Sequence, residues 1–251
     1  MTQSRVLVVS RNEELKNKAL ILARKIKLPF AGSLDYLEKN PKDFLNKFLL
    51  IVSEDLIYLK RGLTEHSKPI FCDFLKWSKQ TNKSNLVKTM RGIPKKSLIV
   101  DATAGLGKDA LVLSSLVDRL IVIEEVPWIC ALLEDGLNRS RDLIPNLSKV
   151  QVACSESKEY LLNLRLKPEA IYIDPMFEGT GKSKAKKEVQ FLRELTNQTN
   201  GEQLLEVALK KAKNRVVVKR HIKHKYLAGL KPTFSLKGRI IRYDVYSIKL
   251  S

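Results

Sequence analysis

Three short apolar runs in this 251-residue chain each end in a carboxylate. An apolar run of this length that stops at a polar residue predicts a buried strand. If the strands are parallel, their carboxyl ends meet at one edge of a sheet, where open α/β sheets bind ligands. The sequence therefore predicts an acidic site at that edge. The acids that end runs 98–100, 120–123 and 170–173 are Asp101, Glu124 and Asp174.

The first acid precedes a turn of small residues, and residues 100–110 read Val-Asp-Ala-Thr-Ala-Gly-Leu-Gly-Lys-Asp-Ala. Gly105 and Gly107 permit backbone conformations and a close approach that a Cβ would block. The string departs from the dinucleotide fingerprint G-x-G-x-x-G. A carboxylate beside exposed N–H groups would repel a pyrophosphate, whereas it suits an ammonium or a sulfonium. This pattern is similar to motif I of class I S-adenosylmethionine (SAM) methyltransferases, which implies a SAM contact for Asp101, Gly105 and Gly107.

The second acid stands where doubly wound sheets place a ribose ligand, roughly 20 residues beyond the glycine turn. A carboxylate supplies two acceptor oxygens, enough for two ribose hydroxyls. We therefore predict that Glu124 binds a ribose. The alternative is that Glu124 and Glu125 cap the helix that begins at Pro127.

The third acid opens the string Asp-Pro-Met-Phe at 174–177. This string resembles motif IV of methyltransferases that act on exocyclic or side-chain nitrogens. Asp174 and the Pro175 carbonyl can accept the two hydrogens of an amine and orient its lone pair. Phe177 can stack on an extruded base. The alternative is an ordinary turn with a buried phenylalanine.

The charge of the chain predicts a polyanionic partner. Lys and Arg number 46 against 27 acids, which gives a net charge of +19. Basic residues cluster after the third acid and again between 210 and 225, although a solvated helix face would also explain part of the second cluster. The residues predicted to contact nucleic acid are Lys182, Lys184, Lys186, Lys187, Lys219, Arg220, Lys223 and Lys225.

Other sequence features lead us to expect neither a metal nor a membrane. Cys72, Cys130 and Cys154 are widely spaced and form no C-x-x-C pair, so no metal site is predicted. The N-terminus lacks a signal-peptide pattern and no apolar run approaches about 18 residues, so we expect a cytoplasmic protein.

Strands and helices alternate from residue 98 onward, which predicts a parallel α/β sheet with helices on both faces. The predicted strands are 98–101, 120–124, 149–153, 170–174 and 215–219, with helices at 108–116, 127–139, 157–164, 185–196 and 202–212. Segments 235–238 and 239–248 predict a terminal antiparallel hairpin, which completes a doubly wound, seven-stranded, Rossmann-like methyltransferase sheet. We place this domain at 81–251.

A small α+β domain is predicted for residues 1–80, because a polar stretch at 81–85 marks a composition shift. Within it, we expect a strand at 5–9, a helix at 13–26, a hairpin over 48–59 and a further strand at 70–74. A short helix is expected at 86–91, after the boundary.

The motifs together resemble the RsmJ family of 16S ribosomal RNA (guanine-N2)-methyltransferases. Besides 100–110, the matching strings are 132–137, 172–177, 186–188, 216–220 and 242–246. The resemblance implies SAM as cofactor, 16S ribosomal RNA or the small ribosomal subunit as partner, and guanine 1516 as target. It places SAM contacts on Lys108, Asp109, Glu124, Glu125, Glu156, Ser157 and Asp174.

Two departures from that family stand out. The family usually carries Glu-Arg where this chain has Glu124-Glu125, and it has a basic, glycine-rich segment where residues 77–86 contain no glycine. Three alternatives stay open: an N-methyltransferase of another RNA, a methyltransferase of small molecules or proteins, and a non-catalytic RNA-binding protein with the same fold. The charge disfavours the second, and three intact strand-end acids disfavour the third.

Overall fold

The computed structural model describes residues 5–44, 46–63, 68–80, 85–175 and 201–248. The chain divides into two compact units, one comprising Met1–Asp73 with Pro127–Arg139 and the other Phe74–Val126 with Ser140–Ser251. The proposed division into domains 1–80 and 81–251 stays a prediction. Within the described ranges, none of the helices combines the length and the apolar character needed to cross a bilayer.

The first unit contains a four-stranded sheet whose central strands are wholly buried. Its strands are β1 (Val6–Ser10), β2 (Phe30–Ser33), β3 (Phe48–Val52) and β4 (Ile57–Arg61), with helices α1 (Lys16–Lys25) and α2 (Leu34–Lys39) and a 3₁₀ turn at Pro41–Phe44. The order is β2-β1-β3-β4, and β4 alone of these four runs antiparallel to its neighbour. Every residue of β1 and β3 is buried, as expected of continuous apolar runs in a parallel pair.

The predicted strand at 5–9, helix at 13–26 and hairpin at 48–59 are confirmed, with shifted ends. The strand predicted at 70–74 is wrong. Ile70 forms an isolated bridge with Leu59, and Phe74 already begins a helix, α3 (Phe74–Ser78). The alternation of Ile70, Cys72 and Phe74 reflects burial of alternate side chains without a continued backbone ladder. The β2–α2 segment was not predicted.

The second unit contains the predicted seven-stranded sheet. Its strands are β5 (Leu98–Asp101), β6 (Arg119–Glu124), β7 (Val150–Cys154), β8 (Ala170–Ile173), β9 (Arg215–His221), β10 (Phe234–Lys237) and β11 (Ile241–Ser247). The order is β10-β11-β9-β8-β5-β6-β7, in which β5 to β9 are parallel and the last two strands form the antiparallel hairpin. The fold prediction is confirmed.

The other described helices agree with the predicted ones. They are α4 (Asn85–Thr89), α5 (Lys108–Ser114), α6 (Pro127–Ser140), α7 (Ser157–Asn163) and α8 (Gly201–Lys211), with 3₁₀ turns at Pro145–Lys149 and Leu227–Gly229. The helix predicted at 185–196 lies outside the described residues.

The two faces of the large sheet have different roles. On one face, Leu161 of α7 and Leu204 of α8 pack with Ile171, Ile173 and other strand residues in one core cluster. Because side chains alternate along a strand, Tyr172 points to the opposite face. There its hydroxyl donates to Asp109 of α5, 2.7 Å away. The polar site described below therefore lies on the α5 side.

A buried ion pair fixes the loop that follows β9. Arg242 and Asp244 are 4% and 0% exposed, and Arg242 Nε lies 2.8 Å from Asp244 Oδ1. Arg242 Nη1 also donates to the carbonyls of His221, Ile222 and His224 at 2.9–3.1 Å. The backbone of this basic loop is thus held from inside the hairpin.

Replacing Asp244 with alanine should destabilise the protein by about 3–5 kcal/mol, because it leaves a buried guanidinium without its countercharge. Urea unfolding measures the change. The matched control is Asp118→Ala, which removes an acid from a partly exposed pair with Lys149 and should cost less than about 1 kcal/mol. Equal losses in the two variants would contradict the assigned role of the buried pair.

Candidate cofactor and acceptor-amine site

Strand register brings the three strand-end acids to one edge of the sheet. Asp101 is in register with Val122 of β6 and with Tyr172 of β8, so β8, β5 and β6 end at similar heights. Glu124 is the last residue of β6, and Asp174 directly follows β8. The edge therefore carries the acidic groups that the sequence pattern predicted for it.

The glycine turn after β5 is held by Glu124. Gly105 and Gly107 have φ values of +53° and +83°, a region that favours glycine. The Gly105 N–H donates to Glu124 Oε2 at 2.9 Å, and the Val126 N–H donates to Oε1 at 2.8 Å. A Cβ built on Gly105 would have no atom within 4 Å, so the turn borders open space. Burial raises the pKa of Glu124 to about 7, against the opposing effect of these N–H groups.

Asp101 is almost completely enclosed by protein. Its side chain is 1% exposed, and Oδ1 accepts the Thr103 N–H at 3.1 Å. Burial raises the pKa of Asp101 to about 8, and the negative charges of Asp109 and Asp174 add to the effect. Burial thus favours the protonated form of Asp101, whose side chain shapes the turn by its hydrogen bond to Thr103.

A lysine joins two carboxylates at the end of β8. Lys219 Nζ lies 2.7 Å from Asp174 Oδ2 and 2.8 Å from Asp109 Oδ2. The Asp174 N–H donates to Thr103 Oγ1 at 2.6 Å, which ties Asp174 to the turn after β5. Burial raises the pKa of Asp174 to about 6, although the adjacent ammonium lowers it. The two carboxylates outweigh burial for Lys219 and raise its pKa.

Two tyrosines enclose this cluster. Tyr172 is fully buried, and its pKa is raised well above the usual value by burial and by Asp109. Tyr243 of β11 is in register with Lys219, and burial beside Asp109 raises its pKa to about 12. Both phenols are therefore neutral and can donate hydrogen bonds to the acids.

Other predicted cofactor contacts already have local roles. The Glu156 carboxylate caps α7 by accepting the N–H groups of Lys158 and Glu159. Ser157 is buried, and its hydroxyl donates to the Ala102 carbonyl at 2.6 Å. Ser157 therefore adjoins the turn that follows β5.

The two residue pairs predicted to contact SAM, Lys108-Asp109 and Glu124-Glu125, differ in exposure within each pair. Lys108 is exposed, with Nζ 5.3 Å from the centre of the Trp77 ring, whereas Asp109 faces the lysine bridge. Glu125 is half-buried beside Glu124. Their cofactor contacts stay predictions.

The predicted nucleic-acid residues do not form one uniform surface. Lys223 and Lys225 are exposed in the loop after β9. Arg220 uses Nε and Nη2 to bind the Lys225 carbonyl, and Lys219 points into the acidic cluster. Phe177 and the lysines at 182, 184, 186 and 187 (Lys182, Lys184, Lys186, Lys187) lie outside the described residues. Pro175, the last described residue of its motif, is buried.

Sequence reasoning missed the residues that connect the acids. Thr103 was visible inside the Asp-x-Thr string, but its contact to Asp174 requires the three-dimensional proximity of 103 and 174. Tyr172 reads as an ordinary apolar strand residue. Tyr243 joins the site through antiparallel pairing with β9, which composition cannot reveal.

The Asp101→Asn variant should have a higher free energy of unfolding than the wild type at pH 8, and the difference should be smaller at pH 5. An acid whose folded pKa exceeds its unfolded value binds more protons when folded, so its ionisation destabilises the protein as pH rises from about 4 to 8. Asparagine removes this penalty and keeps the acceptor for Thr103. Urea unfolding at both pH values should show the difference grow by about 1 kcal/mol or more. A difference independent of pH would contradict the raised pKa.

Comparisons with known proteins agree on one family. The family described as "Putative SAM-dependent methyltransferase" matches residues 36–248. A ribosomal RNA small subunit methyltransferase J from Thioalkalivibrio sulfidiphilus is 31% identical to this chain, and the alignment covers 98% of this chain and 99% of the relative. Another from Coxiella burnetii (strain Dugway 5J108-111) is 36% identical, over 92% of this chain and 92% of that relative. The crystal structure of a SAM-dependent methyltransferase from Neisseria gonorrhoeae aligns with a TM-score of 0.72 at 25% identity, over 96% of this chain and 95% of that one. This chain belongs to the SAM-dependent methyltransferase family.

Proposed function

We propose that this protein methylates the exocyclic N2 of a guanine in 16S ribosomal RNA, with SAM as the methyl donor. The observation that carries the proposal is the position of Asp174, an acid of the Asp-Pro-Met-Phe string that adjoins the glycine turn. Relatives named ribosomal RNA small subunit methyltransferase J support this choice of substrate. A ribosomal substrate also favours a cytoplasmic location.

The edge around Gly105 fits a sulfonium nucleoside. The open space beside Gly105 leaves room for a ligand, and the Glu124 carboxylate that binds the Gly105 N–H supplies acceptor oxygens of the kind that ribose hydroxyls require. The cluster of Asp109, Asp174 and Lys219 carries two negative charges against one positive, which suits a cation. We assign the remaining contacts to Gly107, Lys108, Glu125, Glu156 and Ser157, and Asp101 would act through the turn that it shapes. When bound, SAM supplies the methyl group.

Asp174 and Pro175 would orient the acceptor amine. The lone pair of guanine N2 is delocalised into the ring, so the nitrogen is a weak nucleophile. Hydrogen bonds from its two N–H groups to the Asp174 carboxylate and the Pro175 carbonyl favour a pyramidal nitrogen. When the nitrogen gains the methyl group that SAM would supply, leaving S-adenosylhomocysteine, it would lose one proton, which Asp174 would accept and pass to water. We assign base stacking to Phe177.

The loop after β9 would contact the RNA backbone. Lys223 and Lys225 are exposed at the carboxyl end of β9, the strand that neighbours β8 and its acid. Arg242 fixes the loop backbone, so the two ammonium groups extend from a preformed support. A positive loop beside an amine-binding acid is a suitable position for phosphates that flank a flipped guanine.

Replacing Asp174 with alanine should lower turnover by about 10²–10⁴-fold, because the variant loses the acceptor for an amine hydrogen. The assay follows tritium from labelled SAM into 16S ribosomal RNA or small subunits from cells that lack the protein. Calorimetry with S-adenosylhomocysteine verifies that the variant still binds the nucleoside. The control is Asp118→Ala, at the opposite edge of the sheet, which should retain wild-type turnover.

Near-normal turnover of Asp174→Ala would remove this residue from the mechanism. Label that enters another RNA instead of 16S ribosomal RNA would overturn the substrate. RNA binding without any transfer by the wild type would support the non-catalytic alternative.

Replacing Lys223 and Lys225 with glutamine should weaken RNA binding and reduce the slope of log K against log salt by about 2, since each phosphate contact releases counterions. Filter binding at several salt concentrations measures the slope. The matched control replaces Lys95 and Lys96, which are exposed just before β5 at the other edge of the sheet. The same loss of slope in both double variants would mean that the loop contributes only to the overall charge.

A further inference from the structure

We infer that Lys219 is a positioning residue for methyl transfer, which orients the Asp174 carboxylate by bridging it to Asp109. The sequence assigned Lys219 to RNA contacts, together with its basic neighbours. Its place in the structure is different, because Nζ is 2.7 Å from one carboxylate and 2.8 Å from the other. The inference rests on the proposed role of Asp174.

The bridge is built from elements that come from distant parts of the chain. Ile173 of β8 and Val218 of β9 are in register. Asp174 and Lys219 directly follow these two residues, so they are neighbours across the parallel strands. Asp109 lies in the first turn of α5, and the Tyr172 hydroxyl donates to the same Oδ2 atom that Lys219 contacts. Four groups thus fix the position of one another on the α5 side of the sheet.

The surroundings of Lys219 favour a carboxylate partner over a phosphate. Its side chain is 21% exposed, against 50% for Lys16, a surface lysine with a single acidic partner. Two of its three N–H donors already point at carboxylate oxygens. Only the third donor could reach a phosphate, and the two carboxylates beside it would repel the phosphate at that distance.

Lys219 leaves part of Asp174 available for the amine. The bridge engages Oδ2, whereas the backbone N–H of Asp174 is held by Thr103. The second carboxylate oxygen can therefore accept an N–H from the substrate. Fixing one oxygen restricts rotation of the carboxylate, so the other is held in a defined direction.

Lys219 and Asp109 act on the ionisation of Asp174 in opposite directions. Burial raises the pKa of Asp174 to about 6, Lys219 lowers it, and Asp109 raises it. Within the described ranges, the other titratable groups that face the cluster are Asp101 on β5, Tyr172 on β8 and Tyr243 on β11. Removing the lysine should therefore shift ionisation of Asp174 to higher pH, and neutralising Asp109 should shift it to lower pH.

The test compares Lys219→Met, Lys219→Arg and Asp109→Asn with the wild type. Two quantities are measured: the acid limb of kcat against pH at saturating SAM and RNA, and the titration of ¹³C-labelled aspartate carboxyls, assigned with Asp174→Asn. For Lys219→Met, both the limb and the Asp174 titration should move up by about one pH unit or more, with kcat reduced more than KM is changed. Lys219→Arg should restore the wild-type position, and Asp109→Asn should move it down.

The matched control is Lys211→Met, which removes a lysine whose Nζ instead donates to the carbonyls of Leu162 and Leu164. It should lower thermal stability without moving either curve. If Lys219→Met does not fold, Lys219→Gln takes its place in both measurements, because it removes the same charge with a polar side chain, and an unmoved Asp174 titration in folded Lys219→Gln would contradict the inference. An unchanged Asp174 titration in the folded variants, or a reduced salt slope for RNA with an unmoved acid limb, would overturn the inference. A wild type that transfers no methyl group to ribosomal RNA would instead refute the proposed function, and the carboxyl titration would still test the bridge.

Discussion

The site depends on the turn after β5, which is hydrogen-bonded to residues at the ends of both strands that neighbour β5. Glu124 at the end of β6 accepts the Gly105 N–H, and Thr103 accepts the N–H of Asp174 after β8. Because β5 lies between these two strands, a register shift of either strand would break one of these two hydrogen bonds. The parallel register thus determines the shape of the glycine turn as well as the positions of the acids.

Two electrostatic environments coexist in this chain at different length scales. The net charge of +19 produces a field that attracts a polyanion from a distance. At the carboxyl ends of the strands, Asp109 and Asp174 both contact Lys219, and burial raises the pKa of Asp101, Glu124 and Asp174. The site proposed for the cationic nucleoside lies within this short range. Such clustered pKa shifts destabilise the folded chain and are typical of functional sites.

Much of the large sheet could be predicted from the sequence, because its strands are continuous apolar runs that end in acids, and its helices alternate with them. The small sheet was harder. Phe30–Ser33 contains a glycine with φ +111° and is only partly buried, so its pattern does not indicate a strand. The alternate burial of Ile70, Cys72 and Phe74 gives the period-two pattern of a strand, although this segment forms only an isolated bridge and then a helix. The local alternation of apolar residues indicates which side chains are buried, whereas strand pairing depends on a partner strand that is distant in the sequence.

The basic segment around β9 shows why composition alone could not assign the site residues. Lys219, Arg220 and Lys223 lie within five positions, yet they face different surroundings. Because side chains alternate along a strand, Lys219 turns toward Asp109 and Asp174, and Arg220 binds the carbonyl of Lys225 instead. Beyond the strand end at His221, Lys223 reaches the surface. The same charge thus binds two half-buried acids, supports a loop or meets solvent, according to the face of β9 on which it lies and whether it lies beyond the end of the strand.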